Sequence, residues 1–191
     1  MPTITVMVKT PEKYGIGAIC CGPKKISDNL LFIPPNIFGS IQALFSEENN
    51  NRVKQIFQSG GDFNNINDND NHFKNRQYLF FENNNIKVFT GDNVKSPYTK
   101  FNDNVVVCAN RIGKSEYGDS LYNSLVKHYS ENIVDCIINS FKENKHVGFD
   151  GLCYDRGISS TTLHISIYNR SGDNLYYKEI YSPTQEPIDM L

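Results

Sequence analysis

Thr3 is the first residue in the chain whose type and place point to chemistry. It heads an alternating, β-rich run, TITVMVK. A threonine exposed as the first residue of a chain can act as a nucleophile, with its own α-amine as base. Met1 and Pro2 precede it, and removal of Met1 alone leaves Pro2 at the terminus. His164 and Ser166 sit two apart in TTLHISIY. A two-histidine phosphoesterase needs two such His-x-Ser/Thr strands, and the sequence has one, so His164 reads as a strand histidine. Cys20-Cys21 lies in an apolar run and reads as packing rather than as a reactive pair. Cys153, in GFDGLCYD, lacks the following glycine of a nucleophile elbow. Asp155-Arg156-Gly157 reads as a loop with a charge pair. His72, His128, His146 and His164 have no His or Cys partner at zinc spacing. The acidic NDNDN segment lacks the glycine and terminal glutamate of a calcium loop. No metal and no cofactor is expected.

The composition narrows the function classes. The chain has 191 residues, 39% hydrophobic and 12% aromatic, with a formal charge of −2. That suits one domain, 1–191, with a core that needs no disulfides. Without a basic block, nucleic acid and membrane surfaces are not expected partners. No run approaches the roughly 20 apolar residues of a membrane span. The five cysteines are odd in number and follow no signal-like segment, so they read as reduced thiols in an intracellular protein. Asparagine is abundant, at 24 residues. Its side chain competes for backbone hydrogen bonds and so favours turns.

Periodicity supplies the elements that must position these residues. Strands are predicted at Thr3–Lys9, Gly15–Cys21, Asn29–Ile33, 77–82, 86–90, Asn104–Ala109, 161–168 and 175–181, with a fourth strand beginning at Ile37–Phe38. An interrupted helix is predicted from Ser40 to Phe57, with Ile41, Leu44 and Phe45 on one face. Two more follow in Gly113–Tyr129 and Asn132–Asn144, the latter with a stripe of Ile133, Cys136, Ile137 and Phe141. Gly60–Asn75 reads as a mobile, Asn-rich loop, and 182–191 as a tail. Strand pairs alternating with helices suggest an α+β sandwich, sheets inside and helices outside.

Three stretches, TITVMV…YGIGAICC, NLLFIPPNIFGS and NVVVCANRIGKSEYG…STTLHISIYNRSGDNLYY, together resemble a proteasome β-type subunit. The resemblance implies the N-terminal-nucleophile hydrolase fold, a four-layer αββα sandwich of antiparallel sheets flanked by helices. An active member pairs an N-terminal threonine with an aspartate closing the second strand and a lysine opening the third. The lysine's charge lowers the proton affinity of the nucleophile. Here those positions fall on Thr3, on Cys21 or Gly22, and on Asn29. Asparagine supplies no charge, and cysteine or glycine cannot pair with one. Lys24 and Lys25 precede the strand and require a shifted register. Asp155 and Ser159 are one residue too far apart for the supporting Asp-x-x-Ser.

The resemblance therefore implies a non-catalytic, structural β-type subunit of the 20S core particle, serving intracellular protein degradation. Its partners would be the other α- and β-type subunits of the barrel, in cytoplasm and nucleus. Tyr117, Tyr122, Tyr129, Tyr176, Tyr177 and Tyr181 are candidate contacts, and the tail a candidate arm over a neighbour. Two alternatives stand beside it. One is an active hydrolase with Thr3 exposed by trimming and Lys24 or Lys25 as the charge. The other is an unrelated small binding protein or enzyme of viral type.

Overall fold

Alternating side chains decide most of the architecture. In the computed structural model, which describes residues 3–22, 25–67, 70–145, 158 and 160–191, β1 (Thr3–Lys9) and β2 (Lys13–Cys20) form an antiparallel hairpin. Thr10 closes its turn by accepting the Lys13 N–H on its hydroxyl at 3.1 Å. β8 (Val105–Asn110) pairs with β1, and β7 (Tyr98–Phe101) with β8. On the other side β9 (Thr162–Asn169) pairs with β2, and β10 (Asn174–Tyr181) with β9. The result is a six-stranded sheet in the order β10-β9-β2-β1-β8-β7. A second, four-stranded sheet runs β3 (Leu30–Ile33), β4 (Ile37–Gln42), β5 (Gln77–Glu82) and β6 (Asn85–Thr90). Asn83 and Asn84 turn the β5–β6 hairpin with φ of +49° and +66°, a region asparagine tolerates better than most residues.

The helices are α1 (Glu47–Gln58), α2 (Ser115–His128) and α3 (Ile133–Glu143). Ser46 caps α1 by accepting from the Asn49 N–H, and Asn132 caps α3 by accepting from Asp135. Three apolar seams hold the layers. Leu121, Leu125, Ile133, Cys136, Ile137 and Phe141 pack on Ile4, Val6, Val107, Leu163 and Ile165 of the larger sheet. Met7, Tyr14, Ile16 and Val106 meet Phe38, Leu79 and Phe81 between the sheets. Val53 and Phe57 of α1 cover Leu31, Ile41 and Phe80 on the outer face of the smaller sheet. Close approach of α3 needs Gly15 and Gly17: a Cβ on Gly17 would lie 2.5 Å from Ile137 Cγ2. The fold is thus α+β, with two antiparallel sheets and three helices among the described residues.

Several expectations change. Residues 40–42, predicted as helix, complete β4, in which every residue is buried. Burial on both faces erases the period of two that would mark a strand. Leu44 and Phe45 are exposed, and the helix begins only at Glu47. Within the segment read as a mobile loop, described residues form 3-10 turns at Phe63–Asn65 and Phe73–Asn75, and Ile66 is fully buried. The Arg76 guanidinium, also fully buried, meets Asp70 at 2.6 Å and donates to Asn50. Phe73 stacks on Phe89 at 4.0 Å. The tail returns to its own core: a 3-10 turn at Pro187–Met190 seats Ile188 against α3 and β9. Tyr117, Tyr122, Tyr129 and Tyr176 pack partly buried on the same core, while Tyr177 and Tyr181 are exposed. Cys20, Cys108 and Cys136 are thiols, but Cys21 is disulfide-bonded, which corrects the expectation of five reduced cysteines. No described helix is long and apolar enough to cross a membrane.

Candidate functional site

The seam between the sheets changes character along its length. Inward positions run Met7, Thr5, Thr3 on β1, and Ile16, Ala18, Cys20 on β2. On β8 they run Val106, Cys108, Asn110, on β4 Phe38, Ser40, Gln42, and on β5 Phe81, Leu79, Gln77. Each strand passes from apolar to polar toward the same end of the sandwich. There the polar groups satisfy one another. Thr5 donates to Gln42 Oε1, Gln42 Nε2 to Gln77 Oε1 (2.9 Å) and to the Cys108 carbonyl (3.1 Å), and Gln77 Nε2 to the Ala109 carbonyl (2.9 Å). Buried polar groups cost free energy unless paired in this way.

Thr3 sits at this polar end. Its register partners are Cys20 on one side and Asn110 on the other. Its hydroxyl shares a hydrogen bond with the Cys20 thiol at 3.1 Å. Burial pushes that thiol up to about 11, against the opposing pull of the Thr3 hydrogen bond. A crevice of about 20 Å³, room for roughly one water, opens beside the pair; Ile26, Asn29, Gln42, Ala43 and Phe45 complete its lining. Ala43 holds a φ of +80°, so the chain turns sharply where β4 leaves the seam.

Of the residues singled out from the sequence, Thr3 and Asn29 come together in this crevice. Cys21 does not line it; strand alternation gives that place to Cys20. Lys25 is exposed, pairs with Asp28 at 3.1 Å, and does not line the crevice. Lys24, His146, Cys153, Asp155, Arg156, Gly157 and Ser159 lie outside the described residues. His72 and His128 stand apart, the latter paired with Glu143 at 2.7 Å on the surface. Among the described residues no group of three or more His, Cys, Asp or Glu is placed to hold a metal.

One cluster was missed. His164 is fully buried, its Nε2 2.9 Å from Ser166 Oγ and its Nδ1 3.2 Å from Glu179 Oε2. Facing a carboxylate, Nδ1 is the nitrogen that carries a proton. Tyr177 OH donates to the same carboxylate at 2.8 Å, and the Ile26 N–H donates to its other oxygen. Glu179 is the direct cross-strand partner of His164. The β9–β10 turn, legible in Ser171-Gly172-Asp173-Asn174, could have found it had the register been known.

Burial alone would raise the Glu179 carboxyl. Hydrogen bonds from His164, Ile26 and Tyr177 outweigh it and hold the group near about 2, against an ordinary 4.5. A carboxyl depressed on folding contributes stability fully above its unfolded pKa and loses it as pH falls toward the folded value. The unfolding free energy should therefore exceed that of Glu179→Gln by up to about 3 kcal/mol at neutral pH. The gap should close between pH 4.5 and about 2. Denaturant titrations of both proteins across that window check this; a gap independent of pH would refute it.

No protein-family model and no curated protein matches the sequence. The fold, however, is similar to the crystal structure of a protein from Silicibacter pomeroyi with the family model DUF1028. The TM-score is 0.77, over 100% of this chain and 83% of that one, at 14% sequence identity. At that identity the likeness is one of fold.

Proposed function

We propose that the chain is an N-terminal-nucleophile-type αββα sandwich that has kept the threonine position without its charge apparatus. It would serve as a non-catalytic β-type subunit of a proteasome-like ring, among other α- and β-type subunits of the cytoplasm and nucleus. The observation that carries this reading is the immediate company of the Thr3 hydroxyl. It bonds to a thiol that burial holds neutral, and the crevice presents the Asn29 amide where an active member would present an ammonium. Among the described residues that line the crevice, the thiol, held neutral, is a poor base for the hydroxyl proton, and the Asn29 amide brings no positive charge of the kind a lysine would supply. The two-sheet architecture, with helices on both outer faces, supports the fold half of the reading.

The test is the native mass of the protein from its own source. Co-purification with related subunits in a particle of many hundreds of kilodaltons is the expected result, and a free 21.8 kDa chain would overturn the ring. Thr3→Ala should leave assembly and peptide cleavage by the particle unchanged; loss of one peptidase activity with assembly intact would overturn the non-catalytic assignment.

A second reading has its own support. Polar side chains from five strands converge on the end of the seam where Thr3 sits, an arrangement that suits a hydrolase site. In that reading trimming exposes Thr3, and Lys24 or Lys25 supplies the charge. N-terminal sequencing decides between them: threonine as the first residue favours the hydrolase, and retained Met1 or Pro2 rules it out.

A further inference from the structure

We infer that Glu179 is a positioning residue for the Thr3 crevice, holding one wall shut through the backbone of residues 26 and 27, with His164 and Tyr177 fixing its carboxylate. This rests on the crevice being the functional end of the molecule, as proposed above, but not on any particular activity there.

The geometry runs in three steps. First, Glu179 Oε1 accepts the Ile26 N–H and, at 3.3 Å, the Ser27 N–H. These amides open the 3-10 turn Ser27–Asn29 that leads into β3. The N-cap residue Ile26 offers no side-chain cap, so a carboxylate about 150 residues away in sequence does what a local cap would do. Second, the held segment forms the wall. The Ile26 side chain packs on Ala18 and Cys20, and Ile26 and Asn29 both line the crevice opposite Thr3. Third, the carboxylate is itself fixed from behind. His164 Nδ1 and Tyr177 OH both reach Oε2, the Tyr177 ring stands edge-on to His164 at 5.3 Å, and Ser166 orients the far side of the imidazole. Ser166 and His164 have no exposed surface, so the serine–histidine–glutamate chain serves as a brace rather than as a nucleophile.

Three thiols in the same chain make the inference testable without an assay of function. Cys20 lies under Ile26, Cys108 in the seam between the sheets and Cys136 on the inward face of α3. All three are almost fully buried. Full-length wild type, Glu179→Ala and the near-isosteric Glu179→Gln are treated with N-ethylmaleimide under non-reducing, mildly alkaline conditions, and each thiol is followed by peptide mass spectrometry. Removing the carboxylate should raise the Cys20 rate by roughly tenfold to a hundredfold, the scale of losing hydrogen bonds to a charged group. Cys108 and Cys136 should keep their wild-type rates. Glu179→Gln retains one acceptor for the Ile26 N–H and should fall between wild type and Glu179→Ala. Tyr177→Phe, which removes one of the bonds that fix the carboxylate, should raise the Cys20 rate by less than Glu179→Ala does. An unchanged Cys20 rate in the folded Gln variant would overturn the inference. So would a parallel rise of all three thiols, which signals global loosening. If Glu179→Ala does not fold, the Gln variant alone decides. A monomeric native mass would remove the ring reading while leaving this result intact.

Discussion

Asp70→Ala should lower the unfolding free energy by about 3–5 kcal/mol, the scale of stranding one member of a buried ion pair. Both side chains of the Asp70–Arg76 pair have no exposed surface, at 2.6 Å separation. Burial pulls the Arg76 pKa down, and the Asp70 carboxylate works against that pull. Without Asp70, the partners left to the guanidinium among the described residues are Asn50 and the Tyr78 ring, 5.7 Å away. The double variant Asp70→Ala, Arg76→Met removes both charges and should recover a large part of the loss. Urea titration at constant slope reads the change as a shift in midpoint. A loss below about 1 kcal/mol, the value of an exposed pair, would mean that water reaches Arg76 and the loop is not built as described.

Ile137→Asn should cost about as much, roughly 4 kcal/mol or more, by adding a partnerless amide to the loss of a buried side chain. Ile137 has no exposed surface and faces Gly15 and Gly17 of β2. The contact is close enough to be coupled. Gly17→Ala alone would press a Cβ to 2.5 Å from Ile137 Cγ2 and 2.8 Å from Phe141 Cε2, an overpacking of about 1–3 kcal/mol. Combined with Ile137→Ala, that methyl group gains room, so the two losses should sum to less than their separate values. Thermal melts of Ile137→Asn, Gly17→Ala, Ile137→Ala and the double variant beside wild type check this. Additive losses, or an unchanged melting temperature for Ile137→Asn, would place α3 elsewhere.

What the sequence made legible follows from how each element is buried. β1, β2 and β9 are also buried on nearly every residue, but TITVMVK, GIGAIC and TLHISIY keep larger apolar residues alternating with small or polar ones, and α3 carries a helical stripe. β4 is buried on both faces, and the alternation that would separate Ser40–Gln42 from a helix is absent. β7, at the sheet edge, is mostly exposed and has no apolar period to betray it. The Asn-rich segment looks mobile because its composition is polar. Its order rests on Arg76, whose partners Asn50 and Asp70 arrive from separate segments. At the site, Thr3 was legible from its type and its place at the head of a strand, and Asn29 from the strand that follows it. Cys20 was passed over for its neighbour because only the register Thr3↔Cys20 decides which of two adjacent cysteines faces the hydroxyl. Glu179 required both the β9–β10 register and the return of residues 26–27 to the sheet edge, and neither is written locally.

The apolar-to-polar run along the seam separates two evolutionary tasks. Met7 and Thr3 occupy the same face of one strand, four residues and so roughly 14 Å apart. Substitutions at that distance with no shared partners combine nearly additively. The aromatic end around Tyr14, Phe38 and Phe81 can therefore drift, or be improved, for cohesion alone. Changes at the Thr3 end must keep the Thr5, Gln42 and Gln77 pairing satisfied but leave the aromatic end undisturbed. A lineage built on this sandwich can abandon one chemistry at the polar end, or take up another, while the aromatic half of the same strands carries the cost of keeping the protein folded.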